Sequence, residues 1–310
     1  MTFRSGFVTL VGRPNVGKST LVNRLVGAKV AIVSDRPQTT RTQIRGVRTT
    51  DDTQLVLLDT PGVHRPRTLL GERTNERAVS TLAEVDVVCM LVEASAPIGR
   101  GDRFVADLVH QVETPRVLVV NKTDLADRRE VAEHLVRAQA ELGDFDAFVP
   151  LSARTGDGVD VLIGELEERL PEGPQYYPEG VVTDQPETFL AAELLREQLL
   201  RVARDELPHS ITVVAEEIEP DDAKDGDDSD DGVDPDDPDA VARIRARVLV
   251  ERESQKGIVI GKGGSVLKEA GTRAREELEA LLGTRVYLET RVAVERDWQR
   301  RAHALDRLGY

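Results

Sequence analysis

Eight residues near the N-terminus have the types and the spacing of a phosphate-binding loop. The stretch from Gly12 to Ser19 fits the pattern G-x-x-x-x-G-K-[ST]. Its glycines let backbone N–H groups turn toward phosphate oxygens, Lys18 offers a positive charge to the β- and γ-phosphates, and the Ser19 hydroxyl suits Mg²⁺. The predicted phosphate contacts from this loop come from Gly12, Asn15, Val16, Gly17, Lys18, Ser19 and Thr20.

A second motif provides a further oxygen ligand. Asp59-Thr60-Pro61-Gly62 follows the apolar run 54–58. An aspartate at the end of a strand beside a phosphate loop can hold Mg²⁺. Gly62 can offer its N–H to a γ-phosphate without interference from a side chain. Together with Ser19, Asp59 is therefore a predicted metal ligand.

Two further motifs read a guanine base. Asn121-Lys122-Thr123-Asp124 follows the apolar run 116–120, and Ser152-Ala153 follows the run 148–151. The Asp124 carboxylate can accept hydrogen bonds from guanine N1–H and N2–H₂, whereas adenine would leave those oxygens unpaired. Asn121 suits N7 and the loop scaffold, the Lys122 stem can lie along the base, and Ala153 N–H can reach guanine O6.

The order of these motifs predicts the fold of residues 1–170. Each motif follows an apolar, β-prone run, and helical patterns lie between the runs. Ligands in open α/β sheets bind at the carboxyl ends of the strands, where all four motifs would meet. The sequence therefore predicts an α/β domain of the P-loop GTPase type, with a mostly parallel sheet flanked by helices.

The last third predicts a smaller α+β domain. Residues 171–186 are rich in Pro and Gly and are predicted to be a linker to a domain at 187–310. There a helical pattern at 189–202 precedes strands near 210–218 and 244–251. The apolar run 258–260 leads into Gly261-Lys262-Gly263-Gly264, which a helix and a strand follow. This order is that of a type II KH domain, whose G-x-x-G loop binds single-stranded RNA.

Local charge agrees with RNA binding. Between Arg245 and Arg275 there are eight basic and three acidic residues, in a chain of net charge −15. The predicted RNA contacts are Gly261, Lys262, Gly263, Gly264, Lys256, Arg252 and Lys268. Much of the acidity lies elsewhere, because residues 221–239 contain eleven aspartates and one lysine. We expect an acidic, disordered insertion at about 220–240.

The remaining composition favours a cytoplasmic protein. Cys89 is the single cysteine and lies in an apolar run, so it is predicted to be a buried strand residue rather than a nucleophile. No segment has the length of a membrane span, and the N-terminus lacks a signal-peptide pattern.

The motifs together resemble those of the TrmE–Era–Der group of bacterial GTPases. The resemblance rests on Gly12-Arg13-Pro14-Asn15, on Gln38-Thr39-Thr40-Arg41 and on Asp59-Thr60-Pro61-Gly62 followed by Val63. One GTPase domain with a C-terminal KH domain is similar to the Era family within that group. The resemblance implies a monomeric, cytoplasmic GTPase that binds the 3′ end of 16S ribosomal RNA and assists 30S subunit assembly. Weak peripheral association with the inner face of the cell membrane remains an alternative.

The resemblance also implies a catalytic set. Val63 occupies the position where Ras-like enzymes have a water-placing glutamine, and a valine cannot hydrogen-bond to water. Asn15 resembles the residue that holds K⁺ in members of the group. The window from Ala31 to Gly46, with one proline and several threonines, is predicted to be the first switch, a loop that becomes ordered when γ-phosphate is present. We expect Thr40, with Thr39 as the alternative, to be the Mg²⁺ ligand from this switch. The predicted catalytic residues are Lys18, Thr40, Gly62 and Asn15, with GTP or GDP, Mg²⁺ and K⁺ as ligands and slow intrinsic turnover.

Two other functions stay open from the sequence. The chain could be a KH RNA-binding module that keeps GTP as a structural ligand, or a membrane-associated signalling GTPase. A binding module would bind GTP without releasing phosphate, whereas a switch would release it. Sedimentation with lipid vesicles tests the membrane-associated GTPase.

Overall fold

The structure, a computed structural model, describes residues 2–36, 39–63, 66, 68–202, 210–217 and 241–310. The chain divides into two compact units, Met1–Asp184 with Tyr310 and Gln185–Gly309. The predicted acidic insertion and Gln38 of the first switch lie outside the described residues.

The first unit contains a six-stranded sheet with helices on both faces. Its strand order is β2-β3-β1-β4-β5-β6, and only β2 runs antiparallel to its neighbour. The strands are β1 Arg4–Gly12, β2 Ile44–Thr49, β3 Thr53–Asp59, β4 Val87–Glu93, β5 Arg116–Asn121 and β6 Ala147–Pro150. The helices are α1 Lys18–Val26, α2 Leu69–Thr81, α3 Arg100–Val109, α4 Arg128–Leu142 and α5 Val159–Arg169.

The sheet separates two apolar cores. Alternate residues of a strand enter different cores: Leu57 packs with the core that includes Leu21 of α1, and Val56 packs with the core that includes Val105 of α3. Because both faces are covered, the central strands are apolar throughout, as parallel strands usually are. Cys89 is buried in β4, and burial raises the pKa of its thiol to about 12, so it is not a nucleophile at neutral pH.

The predicted linker region begins as a segment bound to the first unit. Residues 171–184, here called the strap, contact strands β1, β2 and β3. Backbone hydrogen bonds join Ser5 N to Pro171 O at 3.2 Å, and Val47 N to Val182 O at 2.8 Å. The division between units falls after Asp184, three residues before α6 begins.

The second unit has a three-stranded sheet and helices in the order expected of a type II KH domain. Its strand order is β7-β8-β9, with β7 and β8 antiparallel and β8 and β9 parallel. The elements are α6 Glu187–Val202, β7 Thr212–Glu217, β8 Val241–Val250, α7 Glu253–Ile260, α8 Ser265–Leu282, β9 Arg285–Val294 and α9 Ala302–Arg307. The predicted fold class is confirmed in both units.

Two helices of this unit, α7 and α9, were not predicted. The apolar run 258–260 ends helix α7, which the sequence pattern did not reveal because Gly257 interrupts it. Within the described part of the chain, no helix is long and apolar enough to cross a membrane.

The amide of Gln54 fixes the strap to the sheet. Gln54 is fully buried on β3. Its Oε1 accepts the backbone N–H groups of Tyr176 and Tyr177 at 2.8 and 3.0 Å. Its Nε2 donates to Tyr177 O at 2.9 Å and to Thr49 Oγ1 at 2.8 Å.

Replacing Gln54 with alanine should loosen the strap. Two backbone N–H groups would lose their acceptor, so we expect the free energy of unfolding of the first unit to fall by about 2 kcal/mol. Hydrogen exchange at Tyr176 and Tyr177 should accelerate. Gln139→Ala, an exposed change on α4, is the control. Unchanged exchange at the two tyrosines in Gln54→Ala would contradict this account.

Candidate nucleotide and RNA sites

The phosphate loop surrounds the ammonium group of Lys18. Lys18 Nζ donates to Gly12 O at 3.2 Å and to Arg13 O at 3.1 Å, and the residue is only 6% exposed. Burial lowers the pKa of Lys18 to about 8, partly offset by the charge of Asp59. The loop therefore holds a cation whose charged form an anionic ligand would stabilise further.

Three oxygen-bearing side chains converge next to this loop. Ser19 Oγ lies 2.7 Å from Asp59 Oδ2 and 3.0 Å from Thr40 Oγ1, and Thr40 Oγ1 lies 3.3 Å from the same carboxylate oxygen. The hydroxyl of Thr39 instead donates to Arg36 O at 2.6 Å. Two hydroxyls and a carboxylate are hard oxygen ligands, so this group fits Mg²⁺ and favours Thr40 over Thr39.

A cleft of about 310 Å³ opens over these residues. On one side Asn15 Nδ2 donates to Asp35 O at 2.7 Å, which joins the phosphate loop to the first switch. On another side Gly62 approaches the loop so closely that a Cβ there would lie 2.8 Å from Pro14 N. The lining residues include Asn15, Gly17, Lys18, Ser19, Thr20, Thr40, Gly62 and Lys122.

The base-reading loops are held together by Asn121. Its Nδ2 donates to Val16 O at 2.8 Å, and its Oδ1 accepts from Ala153 N at 3.0 Å. Ala153 N–H, predicted to face guanine O6, thus points to Asn121 in this structure. Asn121 is 1% exposed, and its two contacts join the phosphate loop to the loop that follows β6.

The Asp124 carboxylate contacts two side chains of the loop that follows β6. Ser152 Oγ donates to Asp124 Oδ1 at 2.6 Å, and Arg154 Nη2 lies 2.7 Å from Asp124 Oδ2. A carboxylate has about four acceptor positions, so these contacts leave room for two more hydrogen bonds. Lys122 Nζ pairs with Glu93 at 2.8 Å.

The structure adds positioning residues that the sequence analysis missed. Arg24 of α1 donates to Ala153 O at 3.2 Å and to Arg154 O at 2.5 Å, which fixes the 152–156 loop. Arg13 Nε donates to the buried Asp102 at 2.6 Å, which ties the phosphate loop to α3. Both contacts join residues distant in sequence, and no local motif marks them.

The G-x-x-G loop of the second unit has the backbone of a close-approach turn. Gly261, Gly263 and Gly264 have φ of 74°, 61° and 80°, a region that side chains disfavour. A Cβ on Gly261 would also lie 2.5 Å from the Val266 side chain. Arg252, Lys262 and Lys268 are exposed and Lys256 is half-buried, so cations flank the loop.

Comparison with known proteins identifies a GTPase domain and a KH domain in this chain. The family described as "50S ribosome-binding GTPase" matches residues 7–122, and the KH domain family matches residues 236–299. GTPase Era of a Nocardioides species is 51% identical over 314 residues, which cover 99% of this chain and 96% of that protein. GTPase Era of Mycobacterium tuberculosis is 50% identical over 311 residues, 99% of each chain.

The chain belongs to the Era family of GTPases. Like other Era proteins, it hydrolyses GTP to GDP and phosphate. A structure of Era with MgGDPNP and nucleotides 1506–1542 of 16S ribosomal RNA is similar, with a TM-score of 0.90, 36% identity and 99% coverage of each chain. A variant of Aquifex aeolicus Era bound to GDP and AlF₄⁻ gives a TM-score of 0.89 at 36% identity, again over 99% of each chain.

The lowered pKa of Lys18 predicts that GTP binding takes up a proton in alkaline solution. The nucleotide-free protein holds Lys18 partly neutral above pH 8, and triphosphate charge restores the ammonium form. Proton uptake should therefore appear between about pH 8 and pH 10 and be small for Lys18 at pH 7. Calorimetric titration with GTP in two buffers of different ionisation enthalpy measures it.

The lowered pKa of Lys18 also determines how the stability of the nucleotide-free protein changes with pH. Between pH 8 and 10.5 the unfolded chain binds more protons at Lys18 than the folded chain does, so this contribution to stability rises with pH. Absence of proton uptake at pH 8.5 to 9.5 would show that the Lys18 pKa is not lowered.

Proposed function

We propose that this Era-family GTPase is a switch: with GTP bound it binds the 3′ end of 16S ribosomal RNA and assists 30S subunit assembly, and hydrolysis releases it. The observation that carries the proposal is the pairing of a triphosphate and Mg²⁺ site with a cation-flanked G-x-x-G loop in one chain. The similar Era structure that contains both MgGDPNP and 16S ribosomal RNA supports it.

Each part of the first unit has a distinct role in GTP binding. Lys18 and the backbone N–H groups of the phosphate loop bind the β- and γ-phosphates, and the Gly62 N–H binds the γ-phosphate. Ser19, Thr40 and Asp59 would hold Mg²⁺. When bound, Mg²⁺ neutralises phosphate charge and orients the chain of phosphates. Asp124 accepts the N–H groups of guanine and thereby selects GTP over ATP.

The hydrolytic step depends on positioning rather than on a base. Val63 is buried, and its backbone N–H donates to Gly12 O at 3.3 Å. Its side chain cannot orient a water, because valine has no side-chain atom that forms hydrogen bonds. Lys18 stabilises the charge on the phosphate oxygens, and the first switch closes over the cleft through Thr40. Slow intrinsic turnover follows, because no side chain at position 63 places the water.

Asn15 is the residue that would hold K⁺. Its amide already reaches the Asp35 carbonyl of the first switch at 2.7 Å. Its own carbonyl oxygen and that of Asp35 are the ligand types that K⁺ accepts. K⁺ there would supply the positive charge that an arginine supplies in other GTPases.

The second unit would bind RNA through the loop and its flanking helices. Gly261, Gly263 and Gly264 let the RNA backbone approach, and Lys262 supplies charge at the loop itself. Arg252 and Lys256 on the preceding side and Lys268 on α8 extend the cationic surface. We propose that the chain acts as a monomer in the cytoplasm, since one chain carries both the nucleotide site and the RNA site.

Asp124→Asn should change the nucleotide that controls the switch from GTP to XTP. Xanthine has a carbonyl where guanine has its 2-amino group, and the asparagine amide can donate to that carbonyl. We expect GTP affinity to fall on the order of a hundredfold or more and XTP affinity to rise. RNA affinity of the variant should then respond to XTP and not to GTP.

The control for this experiment is Asp144→Asn, an exposed change that removes the same charge. If Asp124→Asn keeps its preference for GTP, the assignment of the base site is wrong. If XTP binds but RNA affinity is the same with XDP and XTP, the switch proposal is wrong.

K⁺ should accelerate hydrolysis relative to Na⁺, and Asn15→Ala should abolish the difference. Single-turnover phosphate release in the two salts measures the effect. The GTP affinity of Asn15→Ala is the control, because a variant with a disrupted phosphate loop would bind GTP more weakly in both salts. Equal rates of the parent protein in K⁺ and Na⁺ would refute the role of Asn15.

A further inference from the structure

Two of the basic residues that the sequence grouped with the G-x-x-G loop lie on a different surface. Arg245 and Arg247 belong to β8, where Ile244, Ala246 and Val248 are at most 1% exposed. Successive side chains of a strand point to opposite faces of a sheet. The arginines therefore project from the face opposite to the one that packs on the helices.

The strand register continues this outward face onto β9. Arg243 pairs with Tyr287, Arg245 with Glu289 and Arg247 with Arg291. The alternate β9 residues face inward: Val286 is 4% exposed, and Gly271 of α8 lies against Thr290, because a Cβ on Gly271 would be 3.5 Å from its Cγ2. Helix α8, which directly follows the G-x-x-G loop, thus packs on the face of the sheet opposite to the arginines.

This outward face, here called the arginine face, is strongly basic. Its charged and aromatic residues are Arg243, Arg245 and Arg247 of β8, Arg285, Tyr287, Glu289 and Arg291 of β9, and Glu216 of β7. The same register also places four aliphatic residues on it: Val214, Val241, Leu249 and Ala293. Five arginines oppose two glutamates in a chain of net charge −15. Glu289 pairs with two of them, Arg245 at 3.0 Å and Arg291 at 2.6 Å. Arg243, Arg247 and Arg285 are exposed.

Tyr287 gives the face an exposed aromatic ring. The residue is 53% exposed and stands beside Arg243 across the strand pair. Alternate residues of one strand are spaced about 6.6 Å apart, so the β8 arginines form a row with the ring next to one end. A β-sheet that offers an aromatic ring and a row of cations is a stacking platform with charges for a phosphate backbone.

We propose that the arginine face binds a second stretch of single-stranded RNA, separate from the stretch at the G-x-x-G loop. This proposal rests on the proposed RNA-binding function. RNA is favoured over a protein partner because, apart from Glu216, the exposed side chains of the face are arginines and one tyrosine, which match phosphates and bases. The aliphatic residues of the face are buried or half-buried, so they offer no exposed apolar core for a protein interface.

The test measures binding of an RNA with the sequence of 16S nucleotides 1506–1542. We expect Arg243→Gln with Arg247→Gln to weaken binding and to reduce the slope of log affinity against log salt by about 1.4, which is two phosphate contacts on a single strand. Tyr287→Ala should weaken it about fivefold or more by loss of stacking. The double change to lysine should restore the salt slope, because lysine keeps the charge.

Arg129→Gln with Arg137→Gln on α4 is the matched control, since both arginines are exposed in the first unit. Thermal unfolding checks that each variant is folded. If the salt slope of the glutamine pair equals that of the parent, the arginine face does not bind RNA. If the parent itself binds no RNA, the proposed function fails instead.

A photoreactive amino acid at position 287 distinguishes the occupants. Crosslinks to nucleotides other than those captured from position 262 would support the proposal. Crosslinks to the same nucleotides would place a single RNA path at the loop. Crosslinks from assembling 30S particles that reach only a ribosomal protein would overturn it.

Discussion

The buried amide of Asn121 holds the nucleotide site together. It accepts from the loop that ends β6 and donates to the phosphate loop, which lies 105 residues earlier in the chain. The same amide requires glycine at position 17, because a Cβ there would lie 2.2 Å from Asn121 Nδ2. The phosphate subsite and the base subsite therefore share one frame, and a change in either loop would disturb the other.

Much of this frame could be predicted, because each motif ends a strand and parallel strands bring their carboxyl ends to one edge. The fold class and the position of Asn121 at the end of β5 followed from that rule. The sequence named Thr40 as the Mg²⁺ ligand with Thr39 as the alternative, and the structure favours Thr40 because its Oγ1 lies 3.3 Å from Asp59 Oδ2. The contacts of Arg24 with the 152–156 loop and the contact of Arg13 with Asp102 could not be predicted. They join distant segments through single side chains, which leave no periodic or local signal.

The strap shows a related limit of sequence reasoning. Its Pro and Gly content is typical of a linker, and composition alone does not reveal what a segment packs against. Here β2 and β3 hold it: Thr183 Oγ1 donates to Arg45 O at 2.7 Å, and Arg45 pairs with Asp184 at 2.8 Å. Because the first switch runs into β2, the chain leaves the first unit beside the strand that continues from this switch.

The second unit shows why a local charge count can merge two surfaces. Loops and helices 252–268 present their cations near the G-x-x-G turn, whereas a strand sends alternate residues to opposite faces. The charge of the segment 245–275 includes Arg245 and Arg247, but these side chains leave β8 on the face opposite to the helices and do not belong to the surface of the G-x-x-G loop. The β8–β9 register assigns these two arginines to the arginine face. It also assigns Arg285, Tyr287 and Arg291 to that face, although they lie outside the segment around the G-x-x-G loop. For a KH unit in an acidic chain, the distribution of arginines between the two faces of the sheet says more about RNA contacts than the local net charge does.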